Sequence, residues 1–129
     1  MKELLEFLDK HKVDYRVEND KVICVCVYLD NKGISTLPEN IGLLDCFRLD
    51  LDNNQITELP KSFGDIKCNK LWLHNNDIEK HMIKYLDRIE NLERVFTDYS
   101  NDLESVKQLC RINSRKDKIK SLLDVDIEV

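Results

Sequence analysis

Five cysteines are the most reactive side chains in this sequence of 129 residues. No two of them have the Cys-x-x-Cys spacing of a zinc or redox site. An odd number of cysteines, without the apolar run of a secretory signal, indicates reduced thiols. Cys24, Cys46 and Cys68 instead recur every 22 residues, which predicts equivalent, buried positions in a repeat. Cys26 is expected to face outward, and Cys110 to lie on the apolar stripe of a helix.

A histidine and two aspartates are the other residues that could do chemistry. His74 is expected near Asp52 and Asp98, where carboxylates could bind a cation or serve as an acid–base pair. Such residues more often form a solvated polar strip, so we expect neither a metal nor a cofactor. Cys110 has no evident base or acid to activate it, so we expect no enzyme.

The 22-residue period extends well beyond the cysteines. Asn54 matches Asn76, and several apolar pairs recur with it. The matching pairs are Leu49 and Leu71, Leu51 and Leu73, Ile56 and Ile78, Leu37-Pro38 and Leu59-Pro60, and Ile41-Gly42 and Phe63-Gly64. The shared pattern is C-x-x-L-x-L-x-x-N-x-I-x-x-L-P-x-x-[IF]-G-x-[LI].

This pattern resembles the leucine-rich repeat, over about residues 24–78. The Leu-Pro-x-x-Ile-Gly continuation is similar to a subclass found in intracellular scaffolds and pathogen effectors. The resemblance implies an α/β fold: a short right-handed leucine-rich-repeat solenoid of three to four repeats, with a parallel sheet on its concave face. It also implies a protein-binding module, acting as an adaptor or as an inhibitor or effector.

Each part of the repeat has a physical role that can be predicted. The leucines of L-x-L alternate and should face the core, while the asparagines should cap backbone groups where the chain leaves a strand. The prolines fix φ, and Gly42 and Gly64 should permit a tight return. Residues 79–90 have helical spacing, and residues 92–97 should form a fourth strand, offset by 24 residues.

The two ends should cap this stack in a single domain, 1–129. We predict an N-terminal cap over 1–23, repeats over 24–98 and a C-terminal helical cap over 99–129. The N-terminal cap should contain a helix over about 2–11, followed by a hairpin of Tyr15–Glu18 and Lys21–Val27 that turns at Asn19-Asp20. The C-terminal cap should contain two helical stripes, the first after Ser100 or Asn101 and the second including Ile119 and Leu122.

Outward positions in equivalent registers predict columns of side chains on the concave face. Aromatic residues and arginine are common in interface hot spots, so we interpret these columns as a protein-binding surface. Its predicted residues are Tyr28, Asp50, Trp72 and Phe96 in a central column, Arg48, Lys70 and Arg94 in a basic column on one side, and Asp52 and His74 on the other side, in an aspartate column with Asp30 and Asp98. Asn31, Asn53 and Asn75 follow as an outer column. The alternatives are a tryptophan that merely lies on the surface beside Lys70 or His74, and a groove for nucleic acid.

Charge and composition restrict the classes of partner that the protein is expected to bind. The net charge of −5 and the aspartates beside the basic column disfavour nucleic acid and anionic lipid. No run approaches the roughly 20 apolar residues of a membrane span, so we expect a cytoplasmic protein, in the host cytosol if it is an effector. We expect a monomer that binds another protein. A subunit that self-associates or docks in a larger complex is the alternative.

Overall fold

Residues that are 22 apart in the sequence lie on neighbouring strands of one sheet. The computed structural model describes residues 1–99, 103–109 and 111, which form a mixed α/β fold around an open sheet. Its elements are α1 (Lys2–Lys10), β1 (Arg16–Glu18), β2 (Lys21–Ile23), β3 (Cys26–Tyr28), the 3₁₀ helix η1 (Ile41–Leu43), β4 (Leu44–Asp50), η2 (Lys61–Asp65), β5 (Lys67–Trp72), η3 (Lys80–Arg88) and β6 (Arg94–Phe96). A helical segment over residues 103–109 follows.

The sheet combines one antiparallel hairpin with parallel strands. The predicted hairpin is confirmed: β1 and β2 pair antiparallel around Asn19 and Asp20. Both β2 and β3 pair with β4 in parallel, and β4, β5 and β6 continue the parallel sheet. The second hairpin strand, predicted over Lys21–Val27, is interrupted at residues 24–25, so that β2 and β3 lie one after the other beside β4.

Strand pairing follows the predicted period residue by residue. Leu49 pairs with Val27 on one side and with Leu71 on the other, each 22 residues away. Leu71 then pairs with Val95, so the fourth strand and its offset of 24 residues are confirmed. These four side chains are fully or almost fully buried. Equivalent residues of successive units therefore lie side by side on the same face of the sheet.

The core is built from the inward positions of each unit. Cys24, Cys46 and Cys68 are buried as predicted, and the Cys68 thiol donates to the Lys70 carbonyl at 3.0 Å. At the N-terminal end Leu4 and Leu8 of α1 pack into the same core. The helix spans Lys2–Lys10, close to the predicted 2–11.

Two asparagines connect neighbouring units, as the sequence predicted. The Asn54 amide donates to the carbonyls of Leu29 and Leu51, both at 2.9 Å, and its oxygen accepts from the peptide N–H groups of Lys32 and Ile34. Asn76 bonds the backbone in the same way, one unit further along; its contacts are Leu51 O, Leu73 O, His74 O and Ile56 N. Each side chain thus supplies partners for backbone groups that leave the strands.

A second set of asparagines shapes the turns themselves. Asn31, Asn53 and Asn75 have positive φ angles of 55°, 58° and 56°. Asparagine tolerates this left-handed conformation better than most residues. Their common 22-residue spacing was visible in the sequence, but it predicted only a surface column and not this turn geometry.

The prediction for the glycines is wrong. Gly42 and Gly64 do not have positive φ; among the described glycines only Gly33 does, at 65°. A Cβ at Gly42 would overlap the carbonyl oxygen of Ser62, and one at Gly64 would overlap that of Tyr85. These glycines are needed because successive 3₁₀ segments pack closely at those points, and not because the chain turns there.

The helix predicted over residues 79–90 forms, but as a 3₁₀ helix rather than an α-helix. Its i→i+3 bonds include Met82 N–H to Glu79 C=O at 2.9 Å. The segment packs against η2, itself a 3₁₀ helix, through the close approach of Tyr85 to Gly64. We attribute the tighter winding to this packing on another 3₁₀ segment.

The C-terminal cap is described only in part. Residues 103–109 are helical and Val106 is buried in the core, in agreement with the first predicted stripe. The N-cap at Ser100 or Asn101, the thiol of Cys110 and the stripe with Ile119 and Leu122 lie outside the described residues.

Asn54→Ala should lower the free energy of unfolding by about 2–4 kcal/mol, because it leaves several buried backbone groups without partners at roughly 1–3 kcal/mol each. Gln55→Ala, at an exposed neighbouring position, is the matched control and should change stability by less than about 0.5 kcal/mol. Urea unfolding followed by circular dichroism measures both. Equal losses in the two variants would show that the asparagine contacts contribute nothing.

Labelling of the thiols tests whether the cysteine column is buried, and it is best done on a Cys110→Ser variant. Burial raises the pKa of the Cys24 thiol to about 11, and contact with Cys68 together with burial raises that of Cys46. Because the thiolate is the reactive form, an alkylating reagent at about pH 8 should label half-buried Cys26 first. Cys24, Cys46 and Cys68 should react only on unfolding, because all three side chains are buried away from the reagent, as read by mass spectrometry of peptides. Labelling of Cys46 as fast as Cys26 would be inconsistent with the buried column.

Candidate protein-binding surface

The outward positions of β3 to β6 form the predicted central column. Tyr28 pairs with Asp50, Asp50 with Trp72, and Trp72 with Phe96. Alternating side chains place this column on the face opposite the leucines. The structure therefore brings these four predicted residues together on one surface.

Arg48 joins the aromatic members of this column into one stack. Its guanidinium carbon lies 3.9 Å from the centre of the Trp72 ring and 5.0 Å from that of Tyr28. Trp72 stacks in turn on Phe96, with ring centres 4.9 Å apart and planes at 21°. Tyr28, Arg48, Trp72 and Phe96 thus form a continuous arrangement, here called the cation–aromatic stack. Cation–π contacts of this kind hold both partners in place.

Asp50 lies beneath the stack and is not exposed. It is 8% exposed, although the alternation of the strand predicted an outward, solvated side chain. The Arg48 side chain covers the shorter aspartate, and their Nη2 and Oδ2 atoms are 3.3 Å apart. The other carboxylate oxygen accepts from the Asp52 peptide N–H at 3.2 Å. Asp50 therefore orients Arg48 from below, and its predicted role as a contact residue is corrected to a supporting one.

The buried part of Arg48 is not fully satisfied. Its Nε atom is buried and has no hydrogen-bond acceptor among the described residues. A buried donor without a partner costs roughly 1–3 kcal/mol, so other contacts must hold the guanidinium in this position. The Trp72 and Tyr28 rings and the Asp50 carboxylate provide those contacts. Arg48 is consequently a pre-positioned side chain and not a freely moving surface arginine.

The aspartate column beside the stack is occupied by backbone contacts. Asp52 Oδ1 accepts from the His74 peptide N–H at 2.7 Å, and Asp98 accepts from those of Asn75 and Asn76. Burial raises the pKa of the Asp52 carboxyl, while the His74 peptide N–H acts in the opposite direction. These aspartates link one unit to the next, a role that the sequence analysis did not assign to them.

No metal centre forms from these residues. Within the described part of the chain, no three histidine, cysteine or acidic side chains are grouped so that they could hold a metal ion. The His74 ring lies 5.7 Å from that of Phe96, at the edge of the stack. His74 and Asp52 are thus brought together through the backbone of His74 and not as a pair of ligands.

The basic column lies on the other side of the stack. Arg48 pairs with Lys70 across the strands, and Lys70 with Arg94. Lys70 Nζ lies 5.2 Å from the centre of the Phe47 ring, and Arg94 is exposed. Arg48 is neutralised locally by Asp50, whereas no ion pair to a described residue is found for Lys70 or Arg94.

Two exposed apolar residues were missed by the sequence analysis. Phe47 is 47% exposed and Val25 is 77% exposed, and the Phe47 peptide N–H bonds to the Val25 carbonyl at 2.9 Å. They were missed because simple alternation assigns only one outward residue between two inward ones. The C-x-x-L spacing has two residues between buried Cys46 and Leu49, and both lie outside the core. The two-residue gap in C-x-x-L was the feature of the sequence that could have predicted their exposure.

Comparison of the chain with protein-family models, with curated proteins and with solved structures found no match. Among the described residues there is no helix with the length and apolar character needed to cross a bilayer.

Asp50→Ala should lower the free energy of unfolding by about 1–3 kcal/mol, because it removes a buried acceptor from Arg48 and from the Asp52 peptide N–H. Asp77→Ala, at an exposed position, is the matched control and should be within about 0.5 kcal/mol of the wild type. Chemical denaturation measures both free energies. A neutral Asp50→Ala would mean that the carboxylate is solvated, as alternation alone predicts.

Proposed function

We propose that the chain is a small leucine-rich-repeat protein, a short right-handed solenoid whose concave face is the parallel sheet. The support is the pairing of residues 22 apart, the buried leucine positions, and the asparagines that bond backbone groups of two units. Units related in this way pack only on their neighbours, which is the organisation of a repeat protein. The N-terminal helix and hairpin cover the first unit.

We further propose that the protein binds another protein through this concave face and is not an enzyme. The observation that carries the proposal is the cation–aromatic stack. Tyrosine, tryptophan and arginine dominate binding hot spots, and here they are half-exposed or exposed and held in one arrangement before any partner arrives. Pre-positioned side chains lose less conformational entropy on binding, which favours affinity.

The charges beside the stack indicate the chemistry of the partner. Lys70 and Arg94 extend from the basic column, whereas Asp50, Asp52 and Asp98 are engaged by the chain's own groups. The exposed rings of Phe47 and Tyr28 add apolar surface. The complementary partner surface carries an apolar or aromatic centre, with carboxylates at its rim. Binding of this kind serves an adaptor and an inhibitor or effector equally.

The test uses the chain with a photo-cross-linking phenylalanine analogue at position 72, and a control with the same analogue at position 61. Lys61 is exposed and begins η2, away from the parallel strands. In extracts of the native cell, position 72 should capture a defined partner protein that position 61 does not. Capture of the chain itself at position 72, together with a dimer in light scattering, would instead support self-assembly.

With the captured partner in hand, Trp72→Ala should weaken binding by about 2 kcal/mol or more, roughly thirtyfold in Kd, measured by calorimetry on folded protein. Arg94→Glu should slow association and reduce its salt dependence, because a rim charge acts mainly on encounter. Lys61→Glu should do neither. Normal binding by Trp72→Ala, with interface mutations mapping to the 3₁₀ segments, would contradict the proposal.

A further inference from the structure

The outer edge of β3 carries peptide groups that point away from the rest of the sheet. The Val25 carbonyl, just before β3, accepts from the Phe47 and Arg48 N–H groups, and the Leu29 N–H, just after β3, donates to the Asp50 carbonyl of β4. Successive residues of a strand direct their peptide groups to opposite edges. Those of Cys26 and Tyr28 therefore face outward, and no described strand pairs with them.

An open groove lies along this edge. The pairing of β1 with β2 ends at Arg16 and Ile23, and beyond that point the two chain segments separate. The space between them has a volume of about 440 Å³ and is lined by residues 11–14 and by Val25, Cys26 and Tyr28. Lys12, with a φ of 57°, turns the chain after α1 and so keeps residues 11–14 apart from β3.

The lining of the groove combines apolar side chains with the polar side chains of residues 11, 12 and 14. Val25 is 77% exposed, Tyr28 is 53% exposed, and Val13 is half-buried against the core. An unpaired strand edge flanked by apolar side chains favours association with another strand. The exposed edge strand β1 is different, since Arg16 and Glu18 place a salt bridge of 3.2 Å on it. Charges at that position disfavour pairing between two copies of the chain.

We propose that this groove binds an extended segment of a partner protein, which adds to the sheet as a strand beside β3. The N–H and C=O groups of the segment pair with those of Cys26 and Tyr28, and its apolar side chains contact Val25 and Tyr28 on one face and Val13 on the other. The repeat of donor and acceptor every second residue selects a peptide backbone. A small apolar molecule would leave these groups unpaired. This site is separate from the cation–aromatic stack, although Tyr28 borders both.

The test begins with a displayed library of random peptides of about ten residues, longer than most strands, selected on the full chain. Enriched peptides should alternate apolar and polar residues. A synthetic copy of one of them is then the probe, titrated by fluorescence anisotropy. Cys26→Pro lacks the outward N–H and should bind it about tenfold more weakly than Cys26→Ala, which keeps that N–H. Urea unfolding establishes that both variants are folded.

A second measurement needs no variant of the protein. Two versions of the peptide are N-methylated, one at its odd and one at its even positions, here called the two phases. One phase should abolish binding and the other should preserve it, because only one edge of the added strand faces β3. Equal effects of both phases, or equal affinities of Cys26→Pro and Cys26→Ala, would overturn the proposal. So would enrichment of no peptide, competition by the chain's own residues 112–129, or occupation of the edge by a second copy. Trp72→Ala should bind the peptide normally, which separates this site from the proposed concave interface.

Discussion

The structure depends on hydrogen bonds that asparagine side chains make between one unit and the next. Asn54 reaches the carbonyls of Leu29 and Leu51, and Asn76 repeats the contact to Leu51 and Leu73. Backbone groups that leave a short parallel strand would otherwise be buried without partners, at a cost that a chain of this size could not sustain many times. The need to pair these backbone groups with the asparagines fixes the offset between neighbouring strands. Once the offset is fixed, the inward and outward faces of every strand follow.

The same offset produces the candidate surface. Residues that are 22 or 24 apart lie side by side, so Trp72 lies beside Phe96, and only Asp50 separates Trp72 from Tyr28 in the same column. Arg48 then fills the place above the short Asp50 side chain. The aspartates of the neighbouring column accept from peptide N–H groups of the next unit and hold the strand ends together. The offset between neighbouring strands therefore determines both how the units pack together and where their outward side chains lie.

Much of this arrangement could be predicted from the sequence, because the 22-residue repeat identifies which residues occupy equivalent positions. The strand pairs, the buried cysteine and leucine columns and the asparagine contacts followed from it, whereas the hairpin and the first helix followed from local apolar spacing and the Asn19-Asp20 turn. Features that depend on contacts between unlike residues did not. Burial of Asp50 arises from the length of its neighbour Arg48, exposure of Phe47 from the extra residue before Leu49, and the need for Gly42 from a close approach of Ser62. The 3₁₀ form of η3 likewise reflects packing on η2, since its residues have the spacing of an α-helix.

Duplicating one unit tests most directly whether the units are equivalent and held in register. A second copy of Cys46–Lys67 is inserted between Lys67 and Cys68. If the units are equivalent, the longer chain should unfold in one cooperative transition, without loss of stability. The dependence of its unfolding free energy on urea should rise by about a sixth, in proportion to the added buried surface. An unchanged urea dependence would mean that the inserted residues remain outside the fold. That result, or a loss of cooperative unfolding, would contradict the account.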